Sequence, residues 1–424
     1  MAVLKVFLDG TLAGELRQAP SGNLTFHYDS GYQKLPHATP LSLSMPLAFA
    51  DHPKRTTLPF FEGLLTDNQT ARRAMASRFG ANAKTPFALL QHMGADVAGA
   101  LQILPPGQRP SDGGSGYGMD TLETVDVERE LQSVLEEYRD GHAPGARMGR
   151  FSLAGAQAKT ALCRTPDGRW AAPRGAMPST HILKPVAGDF RRIDIVEHLT
   201  MQAATHLGLN VAETWLENFG VVRAFVTTRY DRSEEGGVWR RLHQEDLCQA
   251  LSVLPEKKYQ REDGGPGVAE AARLFAGLPV AEDRTAAAAA FYQWLVFNIT
   301  LECTDAHAKN FALMLDADRV RASPLYDLAT FAPYRAEGST THSAMKVGGE
   351  YRFQAISPVK LAAAAKTLRL DPHWAENEVE RQRLGALQAF SRARDELVAA
   401  DDSATDFADH VLDKVAGIER LGWA

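Results

Sequence analysis

The sequence predicts an α+β fold with two lobes, preceded by a β-rich subdomain at the N-terminus. Residues 2–33 alternate apolar and polar side chains around a tight turn, as antiparallel strands do. Short apolar strands recur at 180–185 and 221–228, which indicates a sheet in a mixed N-lobe. Beyond residue 285 the apolar residues follow the helical period, so the C-lobe is expected to be mainly helical.

The composition of the chain excludes several classes of protein. A length of 424 residues is enough for two or three domains with their own cores, and a net charge of −6 gives no field that draws the chain onto nucleic acid. Cys163, Cys248 and Cys303 form no C-x-x-C pair, which argues against a disulfide framework and a thiolate zinc site. No apolar run reaches the roughly 20 residues of a membrane helix, and the N-terminus lacks a signal-peptide pattern. We therefore expect a cytoplasmic protein with no membrane partner.

The chain is predicted to divide into four segments. The β-rich subdomain covers residues 1–104. Glycine and proline are dense just after it, so residues 105–125 are predicted to be a linker or flexible loop. The mixed, sheet-containing lobe is assigned to residues 126–232, and the helical lobe to residues 233–424.

Three shorter segments have predictions of their own. The alternation of apolar residues over 41–47 predicts a strand that proline ends. The sequence after His243 predicts the start of a helix. Residues 254–267 are polar and rich in glycine and proline, which is typical of a surface loop.

The most informative stretch is the loop predicted after the long helix at 285–300. Asp305 and Asn310 lie five residues apart in it, and Asp327 follows after a hairpin signal. Protein kinases build their catalytic centre in this order, with one carboxylate as the base and the amide and second carboxylate on Mg²⁺. The alternative is that these residues cap helices or close turns. His307 could form an acid/base or metal pair with Asp305, or be an ordinary loop histidine.

Two upstream stretches fit the binding of nucleotide phosphates. Residues 151–162 place small side chains between alternating apolar residues, which would let backbone N–H groups approach phosphate oxygens. The string fits neither a Walker A loop nor the usual kinase glycine loop, and a plain hairpin turn is the alternative. Lys184 lies in an apolar strand, where its ammonium needs an anion such as a phosphate. The alternative is an edge-strand lysine in water, which the following Pro185 favours.

Several strings along the chain together carry a resemblance to one known family. They lie at residues 43–47, 61–65, 154–161, 181–184, 243–250, 305–310 and 326–327. With them the chain resembles, nearly from end to end, the HipA family of serine/threonine kinases, which are the toxins of bacterial toxin–antitoxin pairs. The strings Ala-Gly-Ala-Gln-x-Lys-Thr and Asp-x-His-x-Lys-Asn are specific in combination and ordinary apart.

This resemblance implies a protein-kinase-like fold with N-lobe, C-lobe and an extra N-terminal subdomain. It implies ATP and Mg²⁺ as cofactors, with Asp305 as the catalytic base and Asn310 and Asp327 as the metal ligands. It places the adenine hinge at 228–230. The nucleotide-binding residues that it implies are Ala154, Gly155, Ala156, Gln157, Lys159, Lys184, Thr228, Arg229, Tyr230, His307 and Lys309.

The resemblance also implies regulation and partners. Family members can phosphorylate themselves at the position of Ser152, and a phosphate beside the ATP phosphates would repel them and switch the enzyme off. They inhibit translation, typically through an aminoacyl-tRNA synthetase as protein substrate. A small helix-turn-helix antitoxin, HipB-like, neutralises them and binds operator DNA, so contact with DNA is expected only through the antitoxin.

Two positions depart from the family's pattern, and two other functions stay open. Thr228 stands where family hinges often have an acidic residue, and Thr66 stands where proline is frequent. Neither removes a catalytic group, so we expect an active enzyme. One alternative is a small-molecule kinase of related fold. The other is a binding module that acts mainly as a co-repressor, with incidental kinase activity.

Overall fold

The chain is described by a computed structural model that covers residues 1–110, 118–140, 154–155, 157–175, 177–186 and 190–418. These residues form two compact units, each built from several stretches of chain. The first unit comprises Met1–Ala187, Glu217–Glu256 and Leu313–Arg319. The second comprises Gly188–Leu216, Lys257–Ala312 and Val320–Ala424. The first unit therefore includes the predicted N-terminal subdomain together with most of the predicted sheet-containing lobe.

The regular elements follow the predicted change from strands to helices along the chain. The strands are β1 (Ala2–Leu8), β2 (Thr11–Gln18), β3 (Leu24–Tyr28), β4 (Asp51–His52), β5 (Leu101–Leu104), β6 (Gly118–Thr121), β7 (Thr160–Arg164), β8 (Trp170–Arg174), β9 (His181–Pro185), β10 (Thr214–Phe219), β11 (Val222–Thr228), β12 (Arg232–Glu235), β13 (Val238–Arg241), β14 (His243–Asp246), β15 (Ala312–Asp316), β16 (Arg319–Ala322), β17 (His342–Val347) and β18 (Glu350–Arg352). The helices are α1 (Lys54–Gly63), α2 (Gln69–Arg78), α3 (Pro86–Met93), α4 (Thr124–Asp140), α5 (Ile193–His206), α6 (Leu247–Ala250), α7 (Gln260–Asp263), α8 (Val268–Ala276), α9 (Ala281–Thr300), α10 (Pro358–Thr367), α11 (Pro372–Ala400) and α12 (Thr405–Ala416).

The N-terminal sheet has the antiparallel order β4-β3-β2-β1-β5. Its alternating side chains bury one face, while Lys5 and Glu15 lie opposite each other and pair at 2.5 Å. Phe26 and Tyr28 pack on the buried face in a core that also holds Phe61 of α1. The hydrophobic burial of this face supplies the main stabilisation of the subdomain.

The second sheet has the order β10-β11-β9-β7-β8-β6. Strand β9 is internal, because it pairs with β11 on one side and with β7 on the other. Strand β6 lies inside the segment 105–125 that was predicted to be a linker, and it pairs with β8. The linker prediction was therefore wrong for Gly118–Thr121. The hydrogen bonds of this strand come from β8, about 50 residues further along the chain, so the local sequence does not predict the pairing.

The second unit is mainly helical, as predicted for the C-terminal half. Helix α11 packs against α5, α9, α10 and α12. Phe291 and Trp294 of α9 lie in an aromatic cluster with Phe275 and Phe311, and the helix leads directly into the loop that carries Asp305. None of the helices in the described ranges combines the length and apolar character that crossing a bilayer requires.

The three predictions for short segments need correction. Residues 41–47 form a turn, which is closed by a hydrogen bond from the Met45 N–H to the Ser42 carbonyl. The alternating apolar residues are therefore buried side chains of a turn and not one face of a strand. The segment after His243 is strand β14 first, and helix α6 begins only where Asp246 caps it through a capping box. The predicted loop at 254–267 contains the short helix α7, which ends at Gly264 with φ of +69°.

A buried charge network lies where the N-terminal subdomain meets the end of β11. The Arg229 guanidinium donates to both carboxylate oxygens of Asp231 at 3.0 and 2.9 Å, and Arg232 pairs with Asp96 at 3.0 Å. Burial opposes ionisation, but the two guanidiniums still hold the pKa of Asp231 below its usual range. The network joins residues more than 130 positions apart within the first unit.

A second buried contact in the same unit connects β14 with the turn at 41–47. The Ser42 hydroxyl donates to one carboxylate oxygen of Glu245 at 2.5 Å, and the Leu43 N–H donates to the other at 2.8 Å. Burial nevertheless raises the pKa of Glu245 to about 8, with the neighbouring Asp246 carboxylate acting in the same direction.

Glu245→Gln is expected to flatten the pH dependence of stability. The folded chain holds a proton on Glu245 between its ordinary pKa of 4.5 and about 8, so unfolding releases that proton in this window. The wild-type contribution is complete below the lower value and is lost as the pH rises to the upper one, by roughly 2–5 kcal/mol. Urea unfolding of both proteins from pH 5 to 8.5 measures the difference. Parallel stability profiles would contradict the expectation.

Candidate active site

The loop after α9 holds its backbone firmly and leaves one carboxylate exposed. The main-chain carbonyl of Asp305 accepts two hydrogen bonds, from the His307 N–H at 2.8 Å and from the Asn310 side-chain amide at 2.8 Å. The Asp305 side chain is 64% exposed. The loop is thus ordered from within, while its carboxylate faces outward, as a group that must meet a substrate requires.

Asp327 is brought to this loop through the residue before it. The Tyr326 hydroxyl donates to the main-chain carbonyl of Lys309 at 2.6 Å, directly before Asn310 in sequence. Asp327 itself has a φ of +52°, in the left-handed region that is uncommon for residues other than glycine. Such a conformation persists where neighbouring contacts hold it, and it is frequent at functional sites. Leu325 provides one such contact by pairing its main chain with that of Asn210 and Ala212.

The chemistry of Asn310 and Asp327 fits a magnesium ion. The Asn310 amide nitrogen is used in the bond to Asp305, which leaves its carbonyl oxygen as the ligand, and Asp327 adds a carboxylate. Both are hard oxygen donors, which Mg²⁺ prefers. In the described part of the chain no group of three or more His, Cys, Asp or Glu residues could hold an ion. In kinase sites, phosphate oxygens and water complete the shell of the ion.

Asp305 has two side-chain neighbours on the same oxygen. The Tyr259 hydroxyl donates to Oδ1 of Asp305, and Nε2 of His307 lies 3.9 Å from that oxygen. His307 is buried and packs edge-on against the Tyr259 ring, with centroids 4.9 Å apart. His307 is thus a buried, packed side chain beside Asp305 and is not a solvated loop histidine, while its role in an acid/base or metal pair stays a prediction.

In the first unit, the candidate phosphate loop closes on itself. The Lys159 ammonium donates to the carbonyl of Ala154 at 2.7 Å, and Gly155 between them has a φ of +105°. That φ lies in the left-handed region that favours glycine, so another residue would be strained there, and its Cβ would lie 2.6 Å from the flexible Lys159 ammonium. Gln157 is exposed beside it. The predicted site residues Ala156 and Ser152 lie outside the described residues.

The N-terminal subdomain holds this loop through Thr66. The Thr66 hydroxyl donates to the Gly155 carbonyl at 3.0 Å, the Asp67 N–H donates to the same oxygen at 3.2 Å, and the two segments form a parallel bridge. The Thr66 oxygen also lies 3.2 Å from the Tyr138 hydroxyl of α4. Proline at position 66 would have no hydroxyl, so the side-chain hydrogen bond to Gly155 could not form. Threonine at this position therefore adds a hydrogen bond that holds the loop.

Lys184 lies in the interior of the sheet. It is buried in β9 between β11 and β7, so the alternative of an edge-strand lysine in water was wrong. Its ammonium lies 5.2 Å from the ring centroid of Phe225, its cross-strand neighbour. The order of strands in the sheet, and not the local sequence, therefore decides the environment of Lys184.

The predicted hinge residues have different environments. Thr228 ends β11 opposite His181. The guanidinium of Arg229 is committed to Asp231 in the buried network, so any contact of Arg229 with a nucleotide is limited to its main chain. The Tyr230 hydroxyl donates to the side chain of Gln244.

The predicted site residues are thus divided between the units. Asp305, His307, Lys309, Asn310 and Asp327 share the second unit, and the described residues of the phosphate loop, Lys184 and 228–230 share the first. Sequence reasoning missed Tyr259 and Tyr326. Tyr326 could have been noticed beside Asp327, whereas nothing local marks Tyr259, since its partner lies 46 residues away.

Comparison with known proteins identifies the family. A model of the HipA N-terminal domain matches residues 4–104, and a model of the HipA-like C-terminal domain matches residues 151–395, more than half of the chain. The chain belongs to the HipA family of serine/threonine kinase toxins. The resemblance drawn from the short strings is therefore confirmed, and so is the enzyme class, serine/threonine protein kinase.

Individual relatives agree with this assignment. The putative kinase Y4mE of Sinorhizobium fredii is 35% identical over 337 residues, covering 78% of this chain and 78% of that protein. The serine/threonine-protein kinase toxin HipA of Shewanella oneidensis is 29% identical over 376 residues, covering 85% and 82%. A solved complex of HipA, HipB and operator DNA from Shewanella oneidensis matches with a TM-score of 0.83 and 26% identity over 99% of this chain and 98% of that chain. This match confirms the predicted α+β, kinase-like fold class.

Thr66→Val is expected to weaken ATP binding about 3- to 10-fold. The substitution keeps the shape of the side chain and removes the hydroxyl that holds Gly155, a bond worth about 1 kcal/mol. Thr57→Val is the matched control, because the Thr57 hydroxyl also donates to a buried carbonyl, that of His52, away from the loop. Titration calorimetry with ATP and Mg²⁺ measures the affinities. Equal ATP affinities of Thr66→Val and wild type would show that the hydrogen bond from Thr66 to Gly155 does not contribute to nucleotide binding.

Proposed function

We propose that this HipA-family protein transfers the γ-phosphoryl group of ATP to a serine or threonine hydroxyl of a protein, with Mg²⁺. The observation that carries the proposal is the Tyr326 hydroxyl bond to the Lys309 carbonyl. It ties the segment of Asp327 to the loop of Asp305 and Asn310, so a base and two metal ligands belong to one local framework. Phosphoryl transfer depends chiefly on such positioning and on electrostatic stabilisation.

Asp305 would be the general base. Its exposed carboxylate can accept a hydrogen bond from the acceptor hydroxyl and take the proton as the oxygen attacks phosphorus. Its anchored main chain keeps the carboxylate within reach without burying it. General-base assistance of this kind contributes about 10²–10⁴-fold to the rate.

The remaining residues would bind the nucleotide. Bound Mg²⁺ supplies neutralisation of the phosphate charge, and Asn310 and Asp327 would hold it. Lys184 would contact the α- and β-phosphates, as the strand lysine of protein kinases does. The loop at 154–159, shaped by Gly155, would cover the phosphates, with His307 and Lys309 contributing from the catalytic loop.

Regulation and partners follow the family. We propose that Ser152 is the site of self-phosphorylation, that a HipB-like helix-turn-helix antitoxin binds the protein and carries it to operator DNA, and that an aminoacyl-tRNA synthetase is the kind of target in translation. The match to a HipA–HipB–operator DNA complex over 99% of the chain supports the antitoxin and the co-repressor role. The buried thiols of Cys163, Cys248 and Cys303 form no disulfide, which suits the reducing cytoplasm.

Asp305→Asn is expected to reduce phosphoryl transfer by about 10²–10⁴-fold while folding is retained, because only the proton acceptor is removed. Asp318→Asn, in the exposed turn between β15 and β16, is the matched control with wild-type activity. The assay follows label from γ-³²P ATP into the protein, and Ser152→Ala is expected to abolish self-labelling. Full labelling of Asp305→Asn would exclude Asp305 as the base.

The protein alone is expected not to shift operator DNA in a gel at ordinary salt, since its net charge is −6. With a HipB-like antitoxin, which would supply the phosphate contacts, we expect a complex that migrates more slowly than antitoxin and DNA alone. The upstream DNA of the encoding gene is the probe, with an unrelated duplex as control. A shift by the protein alone would contradict the proposed division of roles.

A further inference from the structure

Tyr259 touches the carboxylate on which the proposed chemistry depends. It precedes α7, in the segment that the sequence predicted to be a plain surface loop, and its hydroxyl donates to Oδ1 of Asp305. A half-buried tyrosine 46 residues away is therefore the direct hydrogen-bond donor to an otherwise exposed carboxylate.

Other contacts hold Tyr259 beside the loop of Asp305. The Tyr259 ring stands at 82° to that of buried His307, and the Ala308 N–H donates to the Lys258 carbonyl at 3.4 Å, so the tyrosine segment lies along the catalytic loop. The Tyr259 carbonyl accepts the N–H groups of Asp263 and Gly265 at 3.2 and 3.0 Å. Contacts of its ring and of its main chain thus hold Tyr259 in place, in addition to the hydrogen bond from its hydroxyl to Asp305.

The position of the hydroxyl decides how the carboxylate is presented. Both Tyr259 and Nε2 of His307 approach the same oxygen, Oδ1 of Asp305. An exposed carboxylate without such a partner rotates about its terminal torsion, whose energy profile is broad. With Oδ1 engaged, the second oxygen is the one left for an acceptor hydroxyl, and a base works only within hydrogen-bond reach of the proton it takes.

We propose that Tyr259 is a positioning residue for the base, whose phenol hydroxyl fixes the Asp305 carboxylate so that its other oxygen receives the proton of the acceptor. This inference rests on the proposed role of Asp305. The hydroxyl acts through Asp305 and makes no contribution to nucleotide affinity. The segment at 257–263, through Tyr259, is then part of the catalytic machinery.

The first test is a double-substitution cycle on transfer from γ-³²P ATP. Tyr259→Phe keeps the ring on His307 and removes only the hydroxyl, so kcat is expected to fall about tenfold with the Kd for ATP unchanged. In the Asp305→Asn background, followed over hours, the same substitution is expected to change the residual rate less than twofold. Tyr32→Phe is the matched control at wild-type rate, because the Tyr32 hydroxyl donates to the Thr39 carbonyl within the first unit. An unchanged kcat, an equal loss in both backgrounds, or a loss in ATP affinity would overturn the proposal.

The second test needs no activity and separates this inference from the proposed function. Carbodiimide with glycine ethyl ester labels carboxylates, and mass spectrometry reads the rate at Asp305. Tyr259→Phe is expected to raise that rate at least about threefold, while Tyr32→Phe leaves it unchanged. An equal rate in both variants means that the contact does not exist in solution and overturns the inference. If the wild type transfers no phosphate, or Asp305→Asn remains as active as the wild type, the proposed function fails instead, whatever the labelling shows.

Discussion

The buried pairing of Asp96, Asp231, Arg229 and Arg232 is the interaction on which the first unit depends. It takes charges from the N-terminal subdomain and from the end of β11 out of water and satisfies them mutually, with bonds of 2.9–3.0 Å. Removing one member of such a group typically costs roughly 3–5 kcal/mol, because its partners remain buried and charged. The pairing thereby sets the path of the chain just after Thr228, where the family places the adenine hinge. The Arg229 side chain is therefore engaged in this pairing, and its contact with a nucleotide stays a prediction.

The second unit uses hydrogen bonds from neutral donors for the same purpose. Tyr326, Asn310 and Tyr259 all donate to the loop at 305–310, two of them to main-chain carbonyls and one to the Asp305 carboxylate. Another bond, from the Thr330 hydroxyl to the Leu301 carbonyl at 2.5 Å, fixes the segment beyond Asp327. Because main-chain groups must be satisfied wherever they are withdrawn from water, such bonds hold a loop in place while its reactive side chains stay accessible. The strained backbone of Asp327 is maintained by this framework.

Much of the fold was predictable, and the failures share a cause. The hairpin between Asn310 and Asp327, the helix before Asp305 and the mainly helical C-terminal half are local patterns, and the structure has them. The strand predicted at 41–47 failed because buried anchors, not a ladder partner, produced its alternation. For Lys184 the sequence left an edge strand and a buried strand open, and only the order of strands in the sheet decided between them.

The sequence by itself determined the family, the change from strands to helices and the spacing of Asp305, Asn310 and Asp327, since each is encoded within a few consecutive residues by period, turn chemistry and residue type. Only the tertiary structure decided that Arg229 is buried and donates to Asp231 and to the Val97 carbonyl. The same holds for the hydrogen bonds from Thr66 to Gly155 and from Tyr259 to Asp305. Those partners are separated by 46 to 132 residues wherever the contact leaves its own segment. No local sequence pattern predicts these contacts, because the groups come within hydrogen-bonding distance only when the chain folds. Their hydrogen bonds then form in a buried environment of low dielectric constant.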